Sequence, residues 1–142
     1  MSANDAGWEH FETEADVGVR AWGATRAGAF AQAALGVFAL IVRPEEVEER
    51  EHREVRAQAD SPERLLVSWI NECLYVHEIE GFAVRRVEVD ALSERLVHGV
   101  LHGEPIDLAR HSAGTVVKAA TLHGVSVTEN SGTHDVRLVV DV

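Results

Sequence analysis

Asp60-Ser-Pro-Glu-Arg-Leu-Leu-Val-Ser-Trp-Ile-Asn-Glu-Cys-Leu-Tyr-Val-His-Glu-Ile-Glu-Gly81 carries the start, the buried face and the stop of one helix in an unbroken run. Asp60-Ser61-Pro62-Glu63 supplies a cap followed by proline at the first helical position, where the missing N–H has no intrahelical partner to lose. Leu66, Trp69, Ile70, Cys73, Leu74 and His77 then recur at helical spacing and form one apolar face. Gly81 ends the run. A period of 3.6 over this length excludes a strand, so the chain cannot be all-β.

Outward from this helix the pattern changes. Upstream, Val47, Val55 and Ala57 alternate with Glu48, Glu54 and Arg56, which predicts a solvated edge strand over 47–57. Before it, Thr25 caps a second amphipathic helix whose Phe30, Ala33, Ala34, Val37, Phe38 and Ile41 share a face until Arg43-Pro44 stops it. Extended segments at 8–14 and 17–23 flank Ala15-Asp16, with residues 1–7 as a flexible N-terminal extension. Downstream come strand-like runs at 82–90, 95–103, 115–127 and 134–142, separated by Gly103-Glu-Pro105, Ala113-Gly114 and Asn130-Ser-Gly132. Short turns between consecutive strands favour antiparallel pairing. The expectation is an α+β single domain, 1–142, with a mostly antiparallel sheet and two helices packed on one face.

Composition narrows the function. A chain of 142 residues builds one core, and 46% apolar with 26% charged residues is ordinary for a globular domain. No apolar run approaches the ~20 residues of a membrane span. Met1-Ser-Ala-Asn-Asp-Ala-Gly7 lacks the basic start and apolar stretch of a secretory signal, so a cytoplasmic location is expected. The single cysteine, Cys73, falls on the apolar helix face and is expected to be an inert core thiol. A formal charge of −11 argues against a general nucleic-acid-binding surface, because such binding relies on cations that neutralise phosphates. The same charge suits metal ions or a partner with a basic face.

The chemistry-bearing candidates are few. Lysine occurs once, at Lys118, among twelve arginines. An ammonium is a compact point charge that a guanidinium does not replace, so Lys118 is either a functional residue or a chance survivor. In Val136-Arg-Leu-Val-Val-Asp-Val142 the valines and leucine share one strand face and Asp141 points the other way, beside the chain's own α-carboxylate. Oxygen-only clusters accept calcium, magnesium or manganese, whereas a frayed terminus would leave both charges solvated. Asp16, in the turn Ala15-Asp-Val-Gly18, could supply a third oxygen or simply bond its own turn amides. His98 and His102 face one side of a strand, with His111 and His123 as further candidates, but ~13 Å of strand separates the first two, too far to share zinc at ~2.1 Å. There is no Walker loop, Gly-x-Ser-x-Gly elbow, paired-cysteine motif or dinucleotide fingerprint.

Taken in order, Ala15-Asp-Val-Gly-Val-Arg-Ala-Trp-Gly23, Ala33-Ala-Leu-Gly-Val-Phe38, Leu65-Leu-Val-Ser-Trp-Ile-Asn-Glu72, Gly103-Glu104, Val117-Lys-Ala-Ala-Thr-Leu-His123 and Val139-Val-Asp-Val142 resemble the archease family across residues 8–142. The resemblance implies a small α+β protein with no catalytic residues of its own that activates an RNA ligase in tRNA splicing and RNA repair. Such a ligase uses GTP and manganese to join a 3′-phosphate or 2′,3′-cyclic phosphate end to a 5′-hydroxyl. The activator promotes its guanylylation and multiple turnover. The resemblance further implies a divalent metal ion (Ca, Mg or Mn) held by Asp16, Asp141 and Val142, with Lys118 assisting the partner beside it. It implies neither direct nucleic-acid binding nor a membrane. Two positions depart from the family pattern: Thr13-Glu14 stands where His-Thr is usual, and Leu122 stands where tyrosine is frequent. The first change would alter the surroundings of the metal ligands or add Glu14 as an oxygen donor. Rival functions are a stand-alone metal-dependent phosphoester hydrolase and a chaperone or scaffold for an RNA-modifying enzyme.

Overall fold

A computed structural model of the chain describes residues 6–14 and 16–142. The strands are β1 (Gly7–Glu12), β2 (Val17–Gly23), β3 (Glu51–Gln58), β4 (Phe82–Leu92), β5 (Leu96–Pro105), β6 (Ala119–Asn130) and β7 (Thr133–Asp141), with helices α1 (Arg26–Ile41) and α2 (Pro62–Glu80). The fold class is α+β, as the sequence implies. Every strand pair is antiparallel, but the strands divide into two sheets, one ordered β1-β2-β7-β6 and the other β3-β5-β4. The N-terminal extension expected over 1–7 falls largely outside the described residues, and β1 already begins at Gly7. No helix among the described residues is long and apolar enough to cross a membrane.

Both helices begin and end on the expected chemistry. Thr25 Oγ1 accepts from the Gly28 amide at 2.9 Å, and Ser61 Oγ accepts from the Arg64 amide at 3.2 Å. Gly81 closes α2 in the left-handed region at φ 61°, where a Cβ would be strained. The faces that meet in the core carry Phe30, Val37, Leu66, Trp69 and Ile70, together with Val19, Leu101 and Leu138 from both sheets. Trp69 is fully buried, and its indole N–H donates to the Phe30 carbonyl at 3.0 Å, so the large apolar ring enters the core without an orphaned donor. Cys73 is buried in the same core, and desolvation pushes its thiol well above the ordinary range, consistent with an inert residue.

Two boundaries differ from the sequence expectation for identifiable reasons. Val47 does not open a strand. Its amide closes a 3-10 turn, Pro44–Glu46, by donating to the Pro44 carbonyl, and its side chain packs with Val42 and Ala83, so β3 starts at Glu51. Residues 115–118 also lie outside β6. The Gly114 and Thr115 amides donate to the Ile41 and Leu40 carbonyls, at 2.9 and 2.7 Å, which caps the C-terminal end of α1 and diverts this segment from the sheet.

Candidate metal and partner-assisting site

The four-stranded sheet brings three separate parts of the chain to one end. Val17, the first residue of β2, pairs with Val140 near the end of β7, and Ala119, the first residue of β6, pairs with Asp141. Asp16 immediately precedes β2 and Lys118 immediately precedes β6. Antiparallel pairing therefore places Asp16, Lys118 and Asp141 around the same corner, although more than a hundred residues separate the first two in sequence. The Lys118 amide donates to the Asp141 carbonyl at 2.8 Å, fixing the chain end against the start of β6. Val142 follows at 38% exposure.

The side chains of Asp16 and Asp141 interact at this corner. That contact, followed by partial desolvation and the Asp141 charge, raises the Asp16 carboxyl above its ordinary value, while nearby His123 opposes the rise. Two ionised carboxylates placed together repel, and a cation or a shared proton between them relieves that repulsion. The donor set is all oxygen, which suits a hard divalent ion. Among the described residues no three His, Cys, Asp or Glu side chains gather closely enough to hold an ion, so Glu14 does not complete the pair. Among the described residues, a third protein oxygen would come from the main chain, as from Val142 beside Asp141.

Local structure holds Asp16 in place. Thr13 Oγ1 accepts from the Asp16 amide at 3.0 Å and donates to the Asp16 carbonyl at 2.9 Å. Thr13 thus organises the turn through its hydroxyl, a role its residue type permits but its spacing does not announce. His123 lies in an interruption of the β6–β7 register between Thr121 and Ser126, next to Gly124 at φ 70°. A residue in a bulge cannot be assigned a face by alternation. Asn71, read from sequence only as part of the α2 motif, donates to the Ala120 carbonyl at 3.3 Å and accepts from the Ala120 amide at 2.7 Å. It therefore pins α2 to the second residue of β6, two residues from Lys118.

Lys118 is exposed, and among the described residues its ammonium enters no ion pair. The other histidine candidates are engaged elsewhere: His98 contacts Asp90 at 2.6 Å and Glu54 at 3.1 Å, and His102 contacts Glu88. His111 is buried against Glu104, with Nε2 to Oε2 at 3.0 Å. Because His111 Nδ1 accepts from the Asp107 amide at 2.9 Å, its proton sits on Nε2 and is directed at Glu104. Glu104, only 1% exposed, also receives Arg110 at 2.6 Å and the Glu48 amide at 2.8 Å. Arg110 foremost, with the Glu48 amide and His111, outweighs burial and holds its carboxyl down at about 2.

Comparisons with known proteins agree with this architecture. A family model described as the Archease protein family (MTH1598/TM1083) matches residues 8–142. The chain is 36% identical over 138 residues to protein archease of Methanopyrus kandleri, covering 95% of this chain and 99% of that one. It is 33% identical over 123 residues to protein archease of Pyrococcus furiosus, covering 84% and 87%. The solution structure of protein 1598 of Methanobacterium thermoautotrophicum superposes with a TM-score of 0.78 at 29% identity, covering 96% of this chain and 99% of that chain. An archease of Thermotoga maritima, described as a possible chaperone, shares the fold with a TM-score of 0.60 at 17% identity, covering 94% and 96%. With a match running from the first strand to the last residue, the chain belongs to the Archease protein family.

Proposed function

We propose that this protein is a non-enzymatic activator of a GTP- and manganese-dependent RNA ligase of tRNA splicing and RNA repair, promoting the ligase's guanylylation and multiple turnover. The observation that carries this reading is the approach of Asp16 to Asp141 at one end of the sheet, with Lys118 tied to the same corner through its main chain. Asp16, Asp141 and an oxygen of Val142 would hold a divalent ion, calcium, magnesium or manganese. When bound, that ion supplies fixed positive charge close to the phosphates in the ligase's nucleotide site, the electrostatic support that phosphoryl transfer requires. Thr13 keeps Asp16 directed at Asp141, and Lys118 offers its ammonium to a phosphate oxygen or an acidic group of the ligase. The acidic surface favours encounter with the basic RNA-binding cleft of such a partner in the cytoplasm.

The test is multiple-turnover ligation of a cyclic-phosphate RNA by the ligase of the same organism. Wild type is expected to stimulate it, Asp16→Ala and Asp141→Ala to lose the stimulation, and Lys118→Arg to lose most of it. Equal stimulation by all four rejects the site. Hydrolysis of a phosphoester by the purified protein with metal alone would favour the stand-alone hydrolase. Loss of stability in Asp141→Ala with stimulation intact would favour a chaperone whose metal is structural.

A further inference from the structure

The outward face of the β3-β5-β4 sheet carries His98 on its central strand, between two carboxylates from the strands on either side. His98 Nδ1 lies 2.6 Å from Asp90 Oδ1 on β4, and Nε2 lies 3.1 Å from Glu54 Oε1 on β3. The backbone builds this placement. β4 carries a register shift between Val89 and Ala91, which pair with Gly99 and His98, so Asp90 is the extra residue of a bulge set beside His98. Gly99, next in β5, permits the close approach: a Cβ there would lie 2.5 Å from both the Glu88 carbonyl oxygen and the Trp69 ring.

Proton counting fixes the state of this ring. An ionised carboxylate only accepts hydrogen bonds, and a neutral imidazole has one N–H and one lone pair, so a neutral His98 would turn a lone pair toward one of its two carboxylates. Only the imidazolium, with two N–H groups, answers both. His102, further along the same strand and face, is the internal contrast: among the described residues its Nε2 alone meets a carboxylate, Glu88 at 2.5 Å, and a neutral tautomer satisfies it. The other charged or titratable groups on this face are His52, whose ring stands 6.2 Å from that of His102, Arg86 held by Glu49 and Glu88, and Arg56. Arg56 is the direct cross-strand neighbour of His98 and opposes its charge, as like charges across a ladder do. The carboxylates prevail: the bond to Asp90 foremost, with Glu54 behind it, raises the His98 pKa above its ordinary value against partial burial, and His98 in turn lowers that of Asp90.

We propose that His98 is a proton-operated clip that ties β3 to β4 across β5, closed as the imidazolium and half-open as the neutral ring. On deprotonation one N–H remains. It stays on Nδ1, at the shorter contact to Asp90, and the Nε2 lone pair then faces Glu54, whose side chain is 71% exposed and turns into water. β3 is an outer strand of this sheet, so the strand that loses its side-chain tie has no strand neighbour on its far side. Linkage gives the direction: a group whose pKa is raised on folding adds stability that is fully present below its ordinary value of 6.5 and is lost as pH rises through the folded value. The sheet is thereby tightest in mild acid and loosens at β3 as the medium becomes alkaline. The clip does not depend on the ligase-activator role, since it lies on the other sheet from the Asp16–Asp141 corner.

The experiment follows the histidine ring nitrogens of the full chain by NMR from about pH 5.5 to about pH 9, a range in which the carboxylates stay ionised. His98 should show two protonated nitrogens at the acid end, and on titration should lose the proton from Nε2 while keeping it on Nδ1. Asp90→Asn should weaken its proton affinity about tenfold, a midpoint lower by about one pH unit, and Glu54→Gln should lower it less. Urea unfolding of wild type and His98→Gln is the second readout, and all three variants change outward-facing side chains and are expected to keep the wild-type circular dichroism spectrum. The stability advantage of wild type over His98→Gln should be largest at the acid end and shrink toward the alkaline end, with amide protection in β3 falling over the same range more than in β4. A neutral His98 ring at the acid end, or a midpoint unmoved by both carboxylate substitutions, overturns the clip. A wild-type advantage that does not change with pH reduces His98 to ordinary packing and overturns it equally. Loss of the Nδ1 proton first would release β4 instead and overturn the stated direction of opening.

Discussion

The backbone amide of Lys118 hydrogen-bonds the carbonyl of Asp141 at 2.8 Å, so the chain's one lysine is positioned by its main chain, and among the described residues its ammonium enters no ion pair. Position 118 is thereby separable into a structural half and a chemical half. Lys118→Ala keeps the main-chain bond and is expected to change unfolding free energy by less than ~0.5 kcal/mol, as exposed substitutions do, while removing ligase stimulation. Urea denaturation and multiple-turnover ligation on the same preparation check both halves. A variant that unfolds early would show that the side chain is structural.

The Asp16–Asp141 contact predicts an apo protein whose native state carries unrelieved repulsion. Without a cation, Asp16→Asn and Asp141→Asn are expected to unfold at a slightly higher temperature than wild type. With calcium or manganese at ~100-fold above its Kd, wild type should gain about 2.7 kcal/mol through mass action, and neither variant should respond. Thermal unfolding with chelator and with added cation, for all three proteins, decides it. A cation response that survives both substitutions would place binding elsewhere.

Much of the fold was legible in the sequence because its signals are local. Ser61-Pro62 and Gly81 bracket α2, Thr25 opens α1, and Asn130-Ser-Gly132 turns β6 into β7. The division into two sheets was not, since β2–β7 and β3–β5 are pairings between distant segments that no turn residue encodes. The corner of the site follows the same rule. Asp16 and Asp141 each had a local reason to be noticed, but their meeting depends on β2 lying beside β7, and the composition of neither strand specifies its neighbour. Thr13, Asn71 and His123 were harder still: a turn hydroxyl, a helix amide and a bulged imidazole act through positions that alternation and helical period do not define. The segment 106–118 was illegible for the same reason, since its tethers to α1 are main-chain bonds from Gly114 and Thr115.

Glu104 gives the pH dependence a definite sign. Its carboxyl is held at about 2 in the folded protein against 4.5 ordinarily, so it adds stability above the ordinary value and loses that contribution as pH falls from 4.5 toward about 2. Wild type should therefore destabilise steeply across that interval. Glu104→Gln breaks a buried charged network and leaves Arg110 without its strongest partner, at a cost of about 3 kcal/mol near neutral pH. Its own stability should be flatter in acid. Denaturant titrations of both proteins at several pH values from neutral downward check the prediction, and parallel slopes would remove Glu104 as the titrating group.

Asn71 links the core helix to the functional corner, and its substitution should separate two effects by degree. Because β6 is the outer strand of its sheet, the Ala120 amide and carbonyl on the free side have no strand neighbour and are satisfied by the Asn71 side chain instead. Asn71→Ala leaves both groups unpaired in a partly buried place, an expected loss of about 1–3 kcal/mol. Asn71→Asp can still accept from the Ala120 amide but opposes a carboxylate to the Ala120 carbonyl, so it should be at least as harmful despite its closer shape. Ala120 lies two residues from Lys118 and pairs with Val140 beside Asp141, so loosening it should also lower the cation response in proportion to the stability lost. Urea unfolding combined with cation-dependent thermal shifts on the two variants tests this coupling. A full cation response in a destabilised Asn71→Ala protein would mean that the corner is held by the β2–β7 pairing alone.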